Sequence, residues 1–262
     1  MKQRTLLAML LTALPLLNNA WAQTPEQKGH EIAVEADKRD TGWKDQKSDM
    51  QMILRNREGQ KTERNIRNKQ LEVIGDGDKS MSIFDSPADV KGTAFLSYTH
   101  VKTADDQWLF LPALKRVKRI SSNNKSGPFM GSEFAYEDIT SNEVDKYTYK
   151  WIKDEPYNGH DCFILERYPT YKHSGYTKQV AWIDKKMYHP WKVDFYDRKG
   201  ALLKTLTFHD YKQYLEKYWR PQRMEMVNHI TKKSTTLMWN NYQFNNGYND
   251  RDFDQNSLKR AR

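Results

Sequence analysis

Residues 48–74 have the sequence SDMQMILRNREGQKTERNIRNKQLEVI, in which apolar and polar side chains alternate. The alternation is interrupted at the turn-forming pair Glu58-Gly59, and the stretch ends in a second turn signal at 75–78, Gly-Asp-Gly-Asp. Successive side chains of a β-strand point to opposite faces of the sheet. The pattern therefore predicts two antiparallel strands, at 50–54 and 65–74, joined by a short turn.

The same alternating pattern continues along most of the chain. Further predicted strands are 80–84, 94–101, 108–111, 117–120, 147–152, 162–166, 179–183, 191–196, 203–211, 223–230 and 235–244. Apart from an irregular stretch at 123–132, short turns join consecutive strands, which predicts an antiparallel meander. A meander this long must curl into a barrel or half-barrel to bury one face.

Two features precede the strands. Residues 1–22 contain two cations, an apolar run at 6–17 and the tripeptide Ala-Trp-Ala at 20–22, which are the three parts of a cleavable signal peptide. The run is shorter than the roughly 20 residues that a membrane-spanning helix needs. After it, Thr24, Pro25 and Gln27 form the start signal of a helix that we expect to end near Asp40.

Composition favours one exported domain with acidic partners. No linker interrupts 23–262, so we expect a single domain there and a signal peptide at 1–22, which locates the mature chain in the periplasm of a Gram-negative envelope. The lone cysteine, Cys162, cannot form an internal disulfide and is expected to be buried. The net charge of +9 indicates acidic partners, and because the chain is predicted to be exported we expect no nucleic acid among them.

The sequence contains no residue pattern that is typical of a catalytic or metal site. The histidines are scattered singly, at His30, His100, His160, His173, His189, His209 and His229. Asp76 and Asp78 lack the further oxygen ligands of a calcium loop, and neither Ser132 nor Ser174 lies in a G-x-S-x-G motif. We therefore expect no catalytic residue, no metal and no cofactor, and a protein that is not an enzyme.

Two stretches differ from ordinary strands. In 107–120, QWLFLPALKRVKRI, an aromatic strand is followed by a strand with a cluster of cations, which has the alternative interpretation of a sheet edge protected by charge. In 126–139, SGPFMGSEFAYEDI, the glycine-flanked pair Phe129-Met130 predicts an exposed loop tip that acts as a mobile lid or contacts a partner.

These stretches carry a resemblance to a known family. The resemblance also includes Phe-Asp-Ser-Pro at 84–87, Trp-Ile-Asp at 182–184, Arg-Met-Glu-Met at 223–226 and the closing segment 252–258. Together they resemble the outer-membrane lipoprotein-sorting proteins of the LolA/LolB-like superfamily, in the branch associated with transporters of the resistance-nodulation-division (RND) type. The resemblance implies a mostly β fold with few helices: a curved antiparallel sheet forming a half-open, unclosed β-barrel with helices in its concave side.

The resemblance also implies a function. It predicts a periplasmic carrier that binds a lipid or an acylated, lipoprotein-like ligand in an apolar cavity and passes it between envelope components, beside an RND-type transporter. We expect no stable membrane insertion. The alternatives are a fully packed concave face and an adaptor, not a carrier, that docks a membrane transporter through its basic strand.

Candidate site residues follow from the strand faces, where large aromatic and methionine side chains recur at alternate positions. The predicted cavity residues are Trp108, Phe110, Trp151, Trp182, Phe195, Leu206, Phe208, Met224 and Met226. The predicted contacts to a partner or to anionic head groups near the cavity mouth are Lys115, Arg116, Lys118, Arg119, Phe129 and Met130.

Overall fold

The structure is a computed structural model and describes residues 23–260 of the chain, so the predicted signal peptide at 1–22 lies outside the described residues. The helices of this part are α1 (Pro25–Asp40) and α2 (Gln255–Arg260), with short 3-10 helices at Pro112–Leu114, Ser122–Asn124, Phe129–Gly131, Tyr136–Ile139, Val144–Lys146 and Asp250–Phe253. The strands are β1 (Asp45–Arg55), β2 (Lys61–Leu71), β3 (Lys79–Ser86), β4 (Ala94–Tyr98), β5 (Asp106–Leu111), β6 (Arg116–Ile120), β7 (Tyr147–Tyr157), β8 (His160–Pro169), β9 (Tyr176–Asp184), β10 (Pro190–Asp197), β11 (Leu202–His209), β12 (Lys212–Tyr214), β13 (Tyr218–Arg220), β14 (Arg223–Asn228) and β15 (Ser234–Phe244).

One antiparallel sheet of 13 strands forms the body of the fold, in the order β6-β5-β4-β3-β2-β1-β15-β14-β11-β10-β9-β8-β7. β1 pairs with β15, so the start and the end of the meander meet in the middle of the sheet. β6 and β7 are the two free edges, and the sheet is therefore not closed. Each predicted strand corresponds to a strand of this sheet, and the mostly β, unclosed fold is confirmed. The separate hairpin β12–β13 was not predicted.

Helix α1 begins where its capping residues predict. The Thr24 hydroxyl accepts a hydrogen bond from the Gln27 backbone N–H, and the Gln27 side chain accepts one from the Thr24 N–H, which is a capping box. The helix packs on the edge strand β7, where its buried Gly29 meets the strand backbone. α1 thus covers one free edge of the sheet on its concave side.

The connection from β6 to β7, residues 121–146, passes from one edge of the sheet to the other across the concave side. Phe129 and Phe134, each almost fully buried, pack against the apolar residues of β3 and β4. The Lys204 ammonium on β11 donates to Asp138 of the connection at 2.7 Å. The connection is therefore fixed to the sheet and fills part of the concavity.

Apolar clusters lie on both faces of the sheet. Phe84 and Phe95 belong to the large concave-side core, whereas their neighbours Ile83 and Leu96 belong to a second cluster on the outer face that α2 covers. A third cluster, also on the outer face, contains the buried Cys162. Hydrophobic alternation alone therefore does not distinguish the concave face from the outer face.

Candidate functional site

An open-sided cavity of about 1130 Å³ lies on the concave side of the sheet. α1, the connection 121–146 and the hairpin β12–β13 surround it, and strands β8 to β11 with β14 form its floor. The connection packs the half of the concavity under β3 and β4, so the open space lies under the other half. A ligand could therefore reach the cavity without unfolding any strand.

The floor of the cavity is apolar because alternate residues of neighbouring strands meet on the concave face. In the strand register Ala181 lies opposite Val193, and Phe208 lies opposite Met224. The apolar residues of the floor are Leu165, Ala181, Ile183, Val193, Phe195, Leu206, Phe208 and Met224, and α1 adds Ile32, Ala33 and Ala36. Flexible and aromatic side chains of this kind suit an aliphatic ligand.

The rim of the cavity is acidic, although the whole chain is positively charged. Its carboxylates are Asp37, Asp40, Glu72, Asp76, Asp78, Glu143, Asp145 and Glu216, against the cations Arg39, Lys102, Lys186 and Lys217. Burial, followed by the neighbouring carboxylates of Glu143, Glu72 and Asp40, raises the pKa of Asp78 to about 7. Clustered carboxylates thus dominate the field at the mouth.

Aromatic rings form one wall. The His189 imidazole stacks on the Tyr211 ring with centroids 3.7 Å apart and meets Trp191 edge-on. Both of its ring nitrogens are buried without a hydrogen-bond partner in the described chain, as is the Trp239 indole N–H. Burial lowers the pKa of His189 to about 4, so the imidazole is neutral at pH 7.

Comparison with known proteins identifies the family. The structure of a domain assigned as an outer membrane lipoprotein-sorting protein from Vibrio parahaemolyticus is 60% identical to this chain, covers 89% of it and 99% of its own length, and superposes with a TM-score of 0.88. The chain belongs to the outer membrane lipoprotein-sorting protein family. A family model described only as an uncharacterized protein matches residues 76–260.

Two further solved structures share the fold of this chain. A DUF1329 family protein from Desulfovibrio piger is 32% identical, with 90% of this chain and 99% of its own covered and a TM-score of 0.85. A LolA superfamily protein from Nitrosomonas europaea, 20% identical, covers 87% of this chain and 98% of its own with a TM-score of 0.70, which shows the fold alone. A search of curated proteins gave no match.

Several predicted cavity residues do line the cavity of this lipoprotein-sorting family member: Phe195, Leu206, Phe208 and Met224. Met226 faces the same side but is fully buried in the core beneath. Trp151 also belongs to the concave side, but α1 covers it, with the Lys28 ammonium 3.5 Å from the centre of its ring. Ligand contact by the lining residues stays a prediction.

The assignment of Trp108, Phe110 and Trp182 to the cavity was wrong. Trp182 lies in the outer-face cluster with Cys162, and the Lys192 ammonium is 4.0 Å from the centre of its ring. Trp108 and Phe110 lie in the outer-face cluster under α2. On each of these strands, the residues directly before or after them in sequence point to the concave face instead.

The predicted partner contacts also need correction. Phe129 is only 2% exposed, with its ring 5.2 Å from that of Phe95, so the Phe-Met pair is no exposed tip. Met130 packs against the same core, and its carbonyl accepts a hydrogen bond from Arg64. The loop is a packed plug because Phe84 and Phe95 provide a buried surface for it.

The basic strand is β6, a free edge of the sheet, and none of its residues lines the cavity. Arg116, Lys118 and Arg119 are exposed on it, and Lys115 precedes it in a left-handed conformation. Arg119 pairs with Asp106 on β5. Asp106 also lies 3.4 Å from His100, which contacts the rim residue Asp76 at 2.8 Å. A partner or head-group contact by these cations stays a prediction, and the strand has the exposed charges of a protected sheet edge.

Sequence reasoning missed the helix and hairpin residues of the cavity. Trp43, between α1 and β1, and Arg220, on β13, line it and are both almost fully buried. Trp239 could have been found, because it alternates with the buried Leu237 on β15. Among residues 23–260 no helix is long and apolar enough to cross a bilayer, and no group of acidic, histidine or cysteine side chains is arranged to hold a metal ion.

Proposed function

We propose that this protein is a periplasmic carrier that binds the acyl chains of a lipid or acylated protein in the concave cavity and passes them between envelope components. The observation that carries the proposal is the open cavity of about 1130 Å³ with an apolar floor, on a fold shared with outer membrane lipoprotein-sorting proteins. The envelope location is supported by the signal sequence predicted at 1–22. The role needs binding and release but no covalent chemistry.

Burial of an acyl chain in the cavity supplies enough free energy for stable binding. Burial of one methylene is worth about 0.8 kcal/mol, so a chain of about 14 methylenes gains roughly 11 kcal/mol before the costs of ordering it. Such a chain stays bound in water on its own. Release therefore needs a partner that favours the empty state, for which we propose an RND-type transporter of the inner membrane.

Native mass spectrometry with lipid extraction on protein purified from the periplasm tests the carrier. We expect a bound mass that extracts as lipid or acylated peptide, and we expect Phe208→Asp to lose it, because a carboxylate would then stand on the apolar floor. Leu202→Asp is the control, since Leu202 is 37% exposed on the same strand. A protein that stays free of lipid after incubation with envelope lipids would overturn the proposal.

A second candidate function rests on the exposed cations of the free edge β6. In this proposal the protein is an adaptor that docks a membrane transporter through this strand, with or without lipid. The triple variant Lys115→Glu, Arg116→Glu, Lys118→Glu would then lose cross-linking to the transporter while keeping any bound lipid. Unchanged cross-linking would reject the adaptor, and Arg57→Glu, at an exposed turn, is the control.

A further inference from the structure

Arg167 is a cation set into the floor of the cavity. It lies on β8 two residues after Leu165, on the same face, and opposite Gln179 of β9 in the strand register. Its side chain is half-buried. The aliphatic floor thus begins directly beside a guanidinium group.

The hydrogen bonds of Arg167 leave its charge without a counter-ion. Nε donates to the Gln179 amide oxygen at 2.5 Å and Nη1 to the Asn142 amide oxygen at 2.8 Å, and the guanidinium lies 5.1 Å from the centre of the Tyr147 ring. Both acceptors are neutral, and no carboxylate of residues 23–260 forms an ion pair with it. Nη2 makes no hydrogen bond to this part of the chain and is not sealed from solvent.

The other cations around the cavity either form an ion pair or are exposed to solvent. Arg220 pairs with Asp40 and Arg39 pairs with Glu35, each at 2.6 Å. The remaining lysines are exposed on the rim. Among the described lining residues, Arg167 is therefore the half-buried cation that lacks an acidic partner.

A half-buried charge without a counter-ion costs free energy, because protein replaces part of its water shell. Two neutral amides hold the guanidinium in position, so the side chain is oriented before any ligand arrives. A guanidinium fork matches the geometry of carboxylate and phosphate oxygens, with which it forms its strongest hydrogen bonds. The arrangement fits an anionic group bound at Nη2.

We propose that Arg167 binds the anionic head group, a carboxylate or a phosphate, of an acyl ligand whose chain lies along the floor from Leu165 towards Phe208. This inference rests on the proposed carrier function and narrows its ligand to an anionic amphiphile. The acidic rim repels small free anions, so recognition requires the acyl chain and the anion in one molecule. Inorganic phosphate alone is expected not to compete.

Calorimetric titration of delipidated protein tests the inference with probes of equal chain length. The probes are palmitate, which carries a carboxylate, 1-palmitoyl-lysophosphatidate, which carries a phosphate, and hexadecanol, which is neutral. Arg167→Gln is expected to weaken binding of at least one anionic probe about tenfold or more. The probe that is weakened identifies the head group. Hexadecanol binding is expected to be unchanged, which also shows that the variant is folded.

Arg167→Lys keeps the charge but not the fork and is expected to lose less affinity than Arg167→Gln. Arg57→Gln, whose side chain is 73% exposed at the β1–β2 turn, is the control. If both anionic probes bind equally well to the wild type and to Arg167→Gln, the inference is overturned while the carrier function stands. If the wild type binds neither hexadecanol nor the anionic probes, the carrier function itself fails.

Discussion

Gly29 of α1 lies so close to Trp151 of β7 that a Cβ atom added to the glycine would stand 2.7 Å from the Trp151 backbone nitrogen. Backbone atoms of Lys150 lie 2.9 Å from the same position. Because these neighbours are backbone atoms of a paired strand, they cannot turn aside as a side chain would. The absence of a side chain at residue 29 therefore sets the distance at which α1 covers the sheet edge.

Gly29→Ala is expected to destabilise the protein. This is the opposite of what helix propensity alone predicts, since alanine is favoured over glycine in a helix by about 1 kcal/mol. The added methyl group must push α1 away from β7, which we expect to lower the free energy of unfolding by about 1–3 kcal/mol. Urea denaturation measures it, and Lys38→Ala, at an exposed position of the same helix, is the control. Equal or greater stability of Gly29→Ala would contradict the close contact.

The ion pair between Lys204 and Asp138 joins the connection 121–146 to the sheet, and the two side chains are only 5% and 3% exposed. Lys204→Met would leave the Asp138 carboxylate buried without its cation, so we expect a loss of about 3–5 kcal/mol. Lys178→Met, which breaks the more exposed pair with Glu166, is expected to cost about 1 kcal/mol or less. Urea denaturation compares the two variants, and equal losses would show that burial does not decide the effect.

The strands and the start of α1 were predictable because their signals are local. Period-two alternation is a property of each strand by itself, and the capping box of Thr24 and Gln27 forms within one turn. The hairpin β12–β13 gave no such signal. Its turn places Leu215 and Glu216 at positive φ, 49° and 57°, where glycine or asparagine is the usual indicator.

The face of each aromatic residue was less predictable, because both faces of several strands are apolar. On β9, Ala181 and Ile183 face the cavity while Val180 and the much larger Trp182 face the outer cluster. The size of Trp182 therefore pointed to the wrong face. Arg167 was not predicted for a related reason. Its neutral hydrogen-bond partners come from two other segments of the chain, so no local sequence pattern indicates its role.

Cys162 is fully buried in the outer-face cluster, and burial raises the pKa of its thiol to about 11. Because the thiolate is the reactive form, we expect the folded protein not to react with a thiol-specific disulfide reagent at pH 8. The same protein in guanidinium chloride is expected to react fully, which controls for the thiol being free. Rapid reaction of the folded protein would mean that β8 opens readily from its neighbours.

The raised pKa of Asp78, about 7, makes stability depend on pH. Since the folded state holds the proton more tightly than the unfolded state, with its ordinary value of 3.8, the stabilisation is complete below about pH 4 and is lost as the pH rises through 7. Asp78→Asn keeps the acceptor for the Val73 backbone N–H but carries no charge. It is expected to equal the wild type near pH 4 and to exceed it in stability at pH 8.

The low pKa of His189, about 4, has the opposite effect on the pH dependence of stability. The folded protein holds this imidazole neutral, so the stabilisation from His189 is complete above pH 6.5 and is lost as the pH falls towards 4. His189 is present in both proteins, so the difference between wild type and Asp78→Asn isolates the aspartate. Urea denaturation at pH 4, 6 and 8 measures it, with Asp89→Asn at an exposed position as the control. A difference that does not grow between pH 4 and pH 8 would show that burial and the neighbouring carboxylates do not raise the pKa of Asp78.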